Sequence, residues 1–315
     1  MRYRTYSEHM QQKYGEKIYK IPISIPVSCP NRDGLLSVGG CIFCGEKGAG
    51  FENLPDVMPV SEQLKKNIAY IKKKYKAQKY VAYFQNFSNT YLPIEKLVQF
   101  AEETACTESI VEISFSTRPD CISREYLKRL KEISLKYNKQ ISFELGLQTV
   151  NYHTLNKINR GHTLAEFIDA VLMIKRYNFE ICAHTILNLP WDDEEDVIEN
   201  AKVLSALTVE QVKLHALYIE KGTVMSDLYT KGKIHLISLE EYVNRVVLFL
   251  QYLLPDMVIQ RVAGRAPKED TVFCNWNTSW WKIKDRIEEK MEELDTFQGA
   301  KCDYLNGKAL NRFKE

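Results

Sequence analysis

Short apolar runs alternate with amphipathic stretches through most of the chain. Between the runs, apolar residues recur every three or four positions, as at Leu64, Ile68 and Ile71, which predicts helices. Strands that alternate with helices lie parallel and are joined by right-handed crossovers. The pattern predicts an α/β fold, either an open doubly wound sheet or an incomplete barrel, with its working face at the carboxyl ends of the strands. The predicted strands are residues 21–27, 79–84, 109–117, 140–148, 180–189 and 211–219.

The two ends of the chain differ from this middle region, which we place at residues 20–222. Residues 1–19 are polar and basic, and we expect either a solvated helix over one end of the barrel or a contact with a phosphate backbone. Ser61 is placed to cap the helix that follows it, and Thr163 and Ser238 begin capping boxes. Residues 257–262 allow one more strand. We expect residues 223–315 to form a C-terminal α/β extension packed on the barrel.

Composition excludes some classes of protein. The 315 residues are 45% hydrophobic and 27% charged, with a net charge of +2, as in an ordinary globular protein. No apolar run reaches the roughly 18 residues of a membrane helix, and the N-terminus lacks the apolar core of a secretory signal. We therefore expect a cytoplasmic protein with no membrane partner. A lysine-rich face on the helix at residues 61–75 is either solvated or an electrostatic contact for nucleic acid.

Three of the eight cysteines lie in one loop directly after the first predicted strand. They are Cys29, Cys41 and Cys44, and the last two have the Cys-x-x-Cys spacing that lets two thiolates meet one metal centre. In the cytoplasm such a group indicates metal or redox chemistry more than disulfides. Three protein ligands leave one metal position open for chemistry, whereas a structural zinc site would need a fourth ligand, such as a histidine.

This loop resembles the cluster-binding loop of radical S-adenosylmethionine (SAM) enzymes, in which the last two cysteines flank an aromatic residue, here Phe43. Eleven residues separate Cys29 from Cys41, a long interval that is similar to the one in the catalytic subunit of elongator and its bacterial relatives. Further segments resemble the strand ends of that branch and, at residues 144–148 and 159–163, those of the oxygen-independent coproporphyrinogen oxidases. The likeness is closest to a stand-alone bacterial and archaeal family related to elongator.

The resemblance implies a partial (β/α)6 TIM-type barrel that holds a [4Fe-4S] cluster and SAM. Cys29, Cys41 and Cys44 would bind three irons, and SAM would chelate the fourth. One electron from the cluster would then cleave SAM to methionine and a 5'-deoxyadenosyl radical, which abstracts a hydrogen atom from the substrate.

The same resemblance assigns SAM contacts one residue at a time. Gln148 and Arg160 match SAM-contacting residues of the coproporphyrinogen relatives, and Arg160 would pair with the methionyl carboxylate. Glu144 would accept a hydrogen bond from a ribose hydroxyl or the amino group, unless it is a buried, paired carboxylate. Ser116 is a further ribose contact, and no catalytic side chain is assigned.

Elongator-like relatives act on the wobble uridine of tRNA, which implies that tRNA is the substrate and a carboxymethylaminomethyl-type side chain the target. A small flavodoxin-type or ferredoxin-type protein would donate the electron. The alternative is a non-enzymatic, metal-stabilised RNA-binding or scaffold protein.

Overall fold

Seven parallel strands form one curled sheet in the computed structural model, which describes residues 2–46, 48 and 53–313. The strands are β1 (Tyr19–Ile23), β2 (Tyr80–Phe84), β3 (Ile110–Thr117), β4 (Gln140–Gln148), β5 (Glu180–Ile186), β6 (Gln211–His215), β7 (Ile219–Glu220), β8 (Val258–Arg261) and β9 (Thr271–Phe273). The sheet order is β1-β2-β3-β4-β5-β6-β8. A separate antiparallel ribbon pairs the short strands β7 and β9.

In the described residues, ten α-helices connect and cover these strands, and the main apolar core lies between them and the sheet. The helices are α1 (Tyr6–Tyr14), α2 (Val60–Tyr75), α3 (Ile94–Ala105), α4 (Arg124–Tyr137), α5 (Tyr152–Lys157), α6 (Leu164–Lys175), α7 (Glu194–Ala206), α8 (Val224–Thr230), α9 (Leu239–Tyr252) and α10 (Trp280–Glu293). The capping box of Thr163 and Glu166 at the start of α6 is present, as is that of Ser238 and Glu241 at the start of α9.

Four local predictions are wrong. The strands predicted at residues 180–189 and 211–219 end earlier, at Ile186 and His215. Beyond these ends the Leu217 N–H donates to the Asn188 side chain and not to a neighbouring strand.

The first strand ends at Ile23 and not at residue 27, because the next two backbone N–H groups donate to side chains, Ser24 to Gln63 and Ile25 to Asn86. Ser61 does not cap α2. The helix begins one residue earlier, and the Ser61 N–H donates to the carboxylate of Glu103 at 2.8 Å.

The partial barrel has one strand more than the six predicted. Strand β8, which the sequence placed in the C-terminal extension, lies parallel to β6, with Gln211 opposite Val258. The long helix α9 supplies the crossover between them, burying seven residues that include Tyr242 and Phe249. The sheet therefore continues past residue 222 and takes in part of the predicted extension.

Helix α1 lies across the amino ends of the strands, in agreement with the expected helix over one end of the barrel. Met10 is buried, and Lys13 Nζ lies 2.6 Å from Glu180 and 3.6 Å from Glu112 inside the barrel. Arg2 pairs with Asp295 on the C-terminal region. These basic groups are therefore engaged within the chain. Among the residues that the structure describes, no helix has the length and apolar character to cross a membrane.

Candidate active site

A cavity of about 170 Å³ opens at the carboxyl ends of the strands. The predicted site residues that line it are Cys29, Cys41, Cys44, Ser116, Gln148 and Arg160. Six of the seven predicted residues thus converge on one space, although they come from two strand ends, those of β3 and β4, and from two loops. Glu144, the seventh, lies outside this lining.

The cysteine loop is held against the segment that follows β4. The backbone N–H of Ile42 donates to the carbonyl of Ile158 at 3.0 Å, and the amide of Asn31 donates to the carbonyl of Asn159. The Cys44 N–H donates to the Cys41 carbonyl at 2.9 Å, so a tight turn presents both thiols to the cavity. Gly161 has a φ of +74°, and a Cβ there would lie 2.5 Å from Asn31 Oδ1.

Nitrogen donors surround the cysteine sulfurs. Arg32 Nη1 lies 3.4 Å from Cys44 Sγ, and Arg160 Nη1 lies 3.5 Å from Cys41 Sγ, where Asn31 Nδ2 also approaches at 3.7 Å. Burial and the neighbouring Cys41 raise the pKa of Cys44 to about 11, while Arg32 acts to lower it. Cationic donors of this kind suit sulfurs that become thiolates when they bind a metal.

The spacing of the sulfurs fits an iron-sulfur cluster better than zinc. In tetrahedral zinc, bonds of about 2.3 Å place sulfurs roughly 3.8 Å apart. In the described part of the chain, the group with three ligand atoms mutually within 4.8 Å is Glu144, Cys182 and His184, so at least one pair of the three site sulfurs lies farther apart than that. Three thiols that line one cavity without this close spacing fit a [4Fe-4S] cluster with an open iron.

Arg160 crosses the cavity wall through a gap left by Gly146. A Cβ on Gly146 would lie 2.5 Å from Arg160 Nη2 and 2.9 Å from Gln148 Nε2. Arg160 Nη2 donates instead to the Gly146 carbonyl at 2.7 Å, while its Nε is buried without a partner among the described residues. Gln148 has a φ of +74°, a left-handed conformation that turns the end of β4 towards the cavity.

A second arginine holds this wall in place. Arg118 donates two hydrogen bonds to Asp120, at 2.8 and 2.7 Å, and a third to the Arg160 carbonyl at 2.8 Å. The side chain is fully buried, so its charge is neutralised by the bidentate carboxylate. Arg118 therefore fixes the backbone that carries Arg160.

Glu144 lies inside the barrel with three partners. Lys213 Nζ is 2.8 Å from Glu144 Oε2, His184 Nε2 is 2.6 Å from it, and Lys20 bonds the other oxygen. The two lysines and His184 hold the pKa of Glu144 well below its usual range, although burial opposes them. The structure thus shows a buried, paired carboxylate, and the SAM contact of Glu144 stays a prediction. The ligand atoms of Glu144, Cys182 and His184 lie close enough together to hold a metal ion. However, the ammonium groups of Lys20 and Lys213 already neutralise the Glu144 carboxylate.

Two histidines line the cavity near this network. The rings of His184 and His215 lie 5.0 Å apart, and Arg261 Nη2 is 2.7 Å from His215 Nδ1. Burial and the neighbouring cations lower the pKa of His184 to about 4 and that of His215 well below its ordinary value. Both shifts favour the neutral form of the imidazole.

Several site residues escaped the sequence reasoning. Asn31 and Arg32 lie between Cys29 and Cys41 in the sequence. This closeness along the chain was the signal that could have predicted their contact with the thiols. Lys20 and Lys213 lie in otherwise apolar strands, where a lysine needs a buried counter-charge. That partner, Glu144, is 124 and 69 residues away along the chain, and no local pattern connects them.

Comparison with known proteins matches most of the chain to two family models. The family model described as the radical SAM superfamily matches residues 24–204, and the radical SAM C-terminal domain matches residues 209–293. The uncharacterized protein YtqA of Bacillus subtilis is 33% identical over 301 residues, covering 95% of this chain and 92% of that protein. The uncharacterized protein MJ0486 of Methanocaldococcus jannaschii is also 33% identical, over 299 residues, covering 94% and 91%.

A solved structure shares the fold. The archaeal Elp3 of Methanocaldococcus infernus, with an N-terminal deletion, superposes with a TM-score of 0.67 at 15% identity. The superposition covers 89% of this chain and 64% of that one, a little under two thirds of its length. At this identity the likeness shows the fold alone, and it confirms the predicted partial barrel.

Proposed function

This chain belongs to the radical SAM superfamily, and we propose that it is an enzyme that modifies the wobble uridine of tRNA, at a carboxymethylaminomethyl-type side chain. The observation that carries the enzymatic part is the convergence of three cysteine thiols and Arg160 on one cavity at the strand ends. The choice of tRNA rests on the resemblance of the cysteine interval and the strand-end segments to the elongator branch.

The cofactors of the superfamily are a [4Fe-4S] cluster and SAM. Cys29, Cys41 and Cys44 would hold the cluster, and the Arg160 guanidinium would pair with the SAM carboxylate. When bound, these groups supply one-electron reductive cleavage of SAM and abstraction of a hydrogen atom from the substrate. Ser116 and Gln148 face the same space and would bind the rest of the SAM molecule.

The chain itself holds Arg160 in place and keeps water out of the cavity. Arg118 fixes the Arg160 backbone, and Gly146 leaves the room that the Arg160 side chain needs. Apolar groups, among them Phe43 and Ile186, line the cavity and exclude water from reactive species. We propose a small flavodoxin-type or ferredoxin-type protein as the electron donor.

Anaerobic reconstitution tests the enzymatic part. Reduced protein should bind iron and sulfide and convert SAM to 5'-deoxyadenosine. Cys44→Ala should lose the cluster and this activity, whereas Cys106→Ala, at an exposed cysteine outside the cavity, should retain both. One zinc per chain with no cleavage of SAM would instead support the non-enzymatic RNA-binding or scaffold alternative.

Nucleoside analysis tests the substrate. Transfer RNA from a strain lacking the protein should show a changed wobble-uridine profile. The wild-type gene should restore the profile, and the Cys44→Ala gene should not. An unchanged profile in the deletion strain refutes tRNA as the substrate and leaves the SAM-cleavage result standing.

A further inference from the structure

An aromatic and basic surface lies beside the mouth of the cavity. We define it as the indole-lysine patch: Lys268, Trp280, Trp281 and Lys282, which line one surface pocket between the β9 ribbon and the start of α10. Trp280 is 45% exposed and Trp281 50% exposed, which is unusual for the largest apolar side chains. Neither indole is needed by the site described above.

A third tryptophan nearby, Trp276, has a structural role and contrasts with the two indoles of the patch. Trp276 donates from Nε1 to the Ile237 carbonyl at 2.8 Å and packs against Tyr242 and Phe273. The two patch indoles are instead presented at the surface. Two adjacent, rigid, solvent-facing aromatic side chains are suited to stacking against planar ligands.

The charge of the patch selects an anionic partner. Lys268 and Lys282 are both exposed, and neither has a carboxylate partner among the described residues. Lys282 Nζ lies 5.4 Å from the Trp281 ring centre, so cation and indole face the same ligand space. The described lining of the pocket contains no Asp or Glu, and the first turn of the fourteen-residue helix α10, which borders it, contains no acidic residue.

The β7–β9 ribbon borders both the pocket that holds the patch and the cavity. Phe273 on β9 pairs with Ile219 on β7, and the neighbours of Ile219 on both sides, Tyr218 and Glu220, line the cavity. The Lys221 N–H also donates to the Asp270 carbonyl at 2.9 Å. A chain lying on the patch is therefore well placed to continue into the cavity mouth.

We propose that the indole-lysine patch binds a single-stranded segment of RNA beside the nucleotide that enters the cavity. Trp280 and Trp281 stack on bases, and Lys268 and Lys282 pair with phosphates. This inference rests on the proposed function, since it presumes an RNA substrate. It locates the contact on the C-terminal region, whereas the sequence offered residues 1–19 and the lysine-rich face of α2 as possible contacts.

Fluorescence anisotropy on the reconstituted holoenzyme tests the proposal, with a fluorescein-labelled twelve-nucleotide oligouridylate as the probe. Trp280→Ala and Trp281→Ala should each weaken binding about 5- to 150-fold, the range for one stacked base. Lys268→Gln with Lys282→Gln should lower the slope of log affinity against log salt by roughly 1.4. A duplex RNA of equal length should bind less tightly than the single strand.

The matched control is Lys72→Gln with Lys73→Gln, which removes two exposed lysines from the predicted alternative footprint on α2. This control removes two positive charges, as the double lysine variant of the patch does. It should keep the contribution that Trp280 and Trp281 make to binding by stacking on bases. Cleavage of SAM without RNA should be unchanged in the patch variants, because these residues lie outside the cavity lining.

The proposal is overturned if the holoenzyme does not bind the oligonucleotide at low salt, or if both indole variants bind it like the wild type. A larger loss in the α2 control than in the patch variants would move the contact to α2. A normal tRNA nucleoside profile in the deletion strain refutes the proposed substrate, whereas a changed profile with unaltered binding by the patch variants refutes the patch alone.

Discussion

Replacing Glu144 by glutamine should destabilise the fold strongly. Its carboxylate is 1% exposed and is the shared partner of Lys20, Lys213 and His184 inside the barrel. Glutamine keeps the shape but leaves the buried ammonium group of Lys213 and the part-buried one of Lys20 without an opposite charge. Breaking a buried pair in this way costs about 3–5 kcal/mol. With an unfolding entropy of about 2.1 cal/mol/K per residue, that is a fall in Tm of roughly 5–8 °C for a chain of this length.

The stability that Glu144 contributes depends on pH. The pKa of Glu144 is depressed in the folded protein. Its stabilisation is therefore complete above the unfolded value of about 4.3 and is lost as the pH falls through the folded value. Wild type and Glu144→Gln should differ most at neutral pH and converge in acid.

Urea unfolding at several pH values, followed by circular dichroism, measures this difference. Adding Lys213→Met to Glu144→Gln should recover part of the lost stability, since it removes one of the two unpaired charges. Lys213→Met alone serves as the control, because it leaves Glu144 paired with Lys20 and His184. A Glu144→Gln protein within about 1 kcal/mol of the wild type at pH 7 would refute the charged network, since that is below the cost of an unpaired buried charge.

Three further predictions concern single positions. Burial raises the pKa of Asp192 to about 6, so Asp192→Asn should stabilise the protein by up to about 3 kcal/mol at pH 7.5; urea unfolding should show this gain fading as the pH falls from 6 towards 4, and a constant gain would contradict it. Gly146→Ala should displace Arg160, because its Cβ would lie 2.5 Å from Nη2; calorimetry should show weaker SAM binding by at least tenfold, as expected for a lost charge-assisted contact of about 1.5 kcal/mol or more, and unchanged affinity would remove Arg160 from the SAM site. Arg32→Gln should leave reconstitution possible but make the cluster more easily lost to a chelator, since Arg32 lies 3.4 Å from the Cys44 sulfur; equal rates of iron loss would show that this donor is dispensable.

Much of the fold followed from local and periodic signals. Alternating apolar runs identified six parallel strands, because a buried parallel strand must be apolar on both faces. The capping boxes of α6 and α9 were readable because both partners lie within one helical turn. The first strand end and the start of α2 were misplaced, since Gln63, Asn86 and Glu103 satisfy those backbone groups from distant positions.

The candidate site also contains some residues that the sequence predicted and others that only the structure placed there. The sequence by itself determined the three-cysteine loop, because ligand chemistry and spacing lie within 16 residues. The resemblance to the coproporphyrinogen oxidases and the elongator branch pointed to Ser116, Gln148 and Arg160, which the fold brings to the same cavity. Only the tertiary structure decided the position of Glu144, the entry of β8 into the sheet and the approach of Arg32 and Arg160 to the sulfurs. Those contacts depend on how strands far apart in the chain are placed side by side, and the spacing of residues along the sequence does not determine that placement.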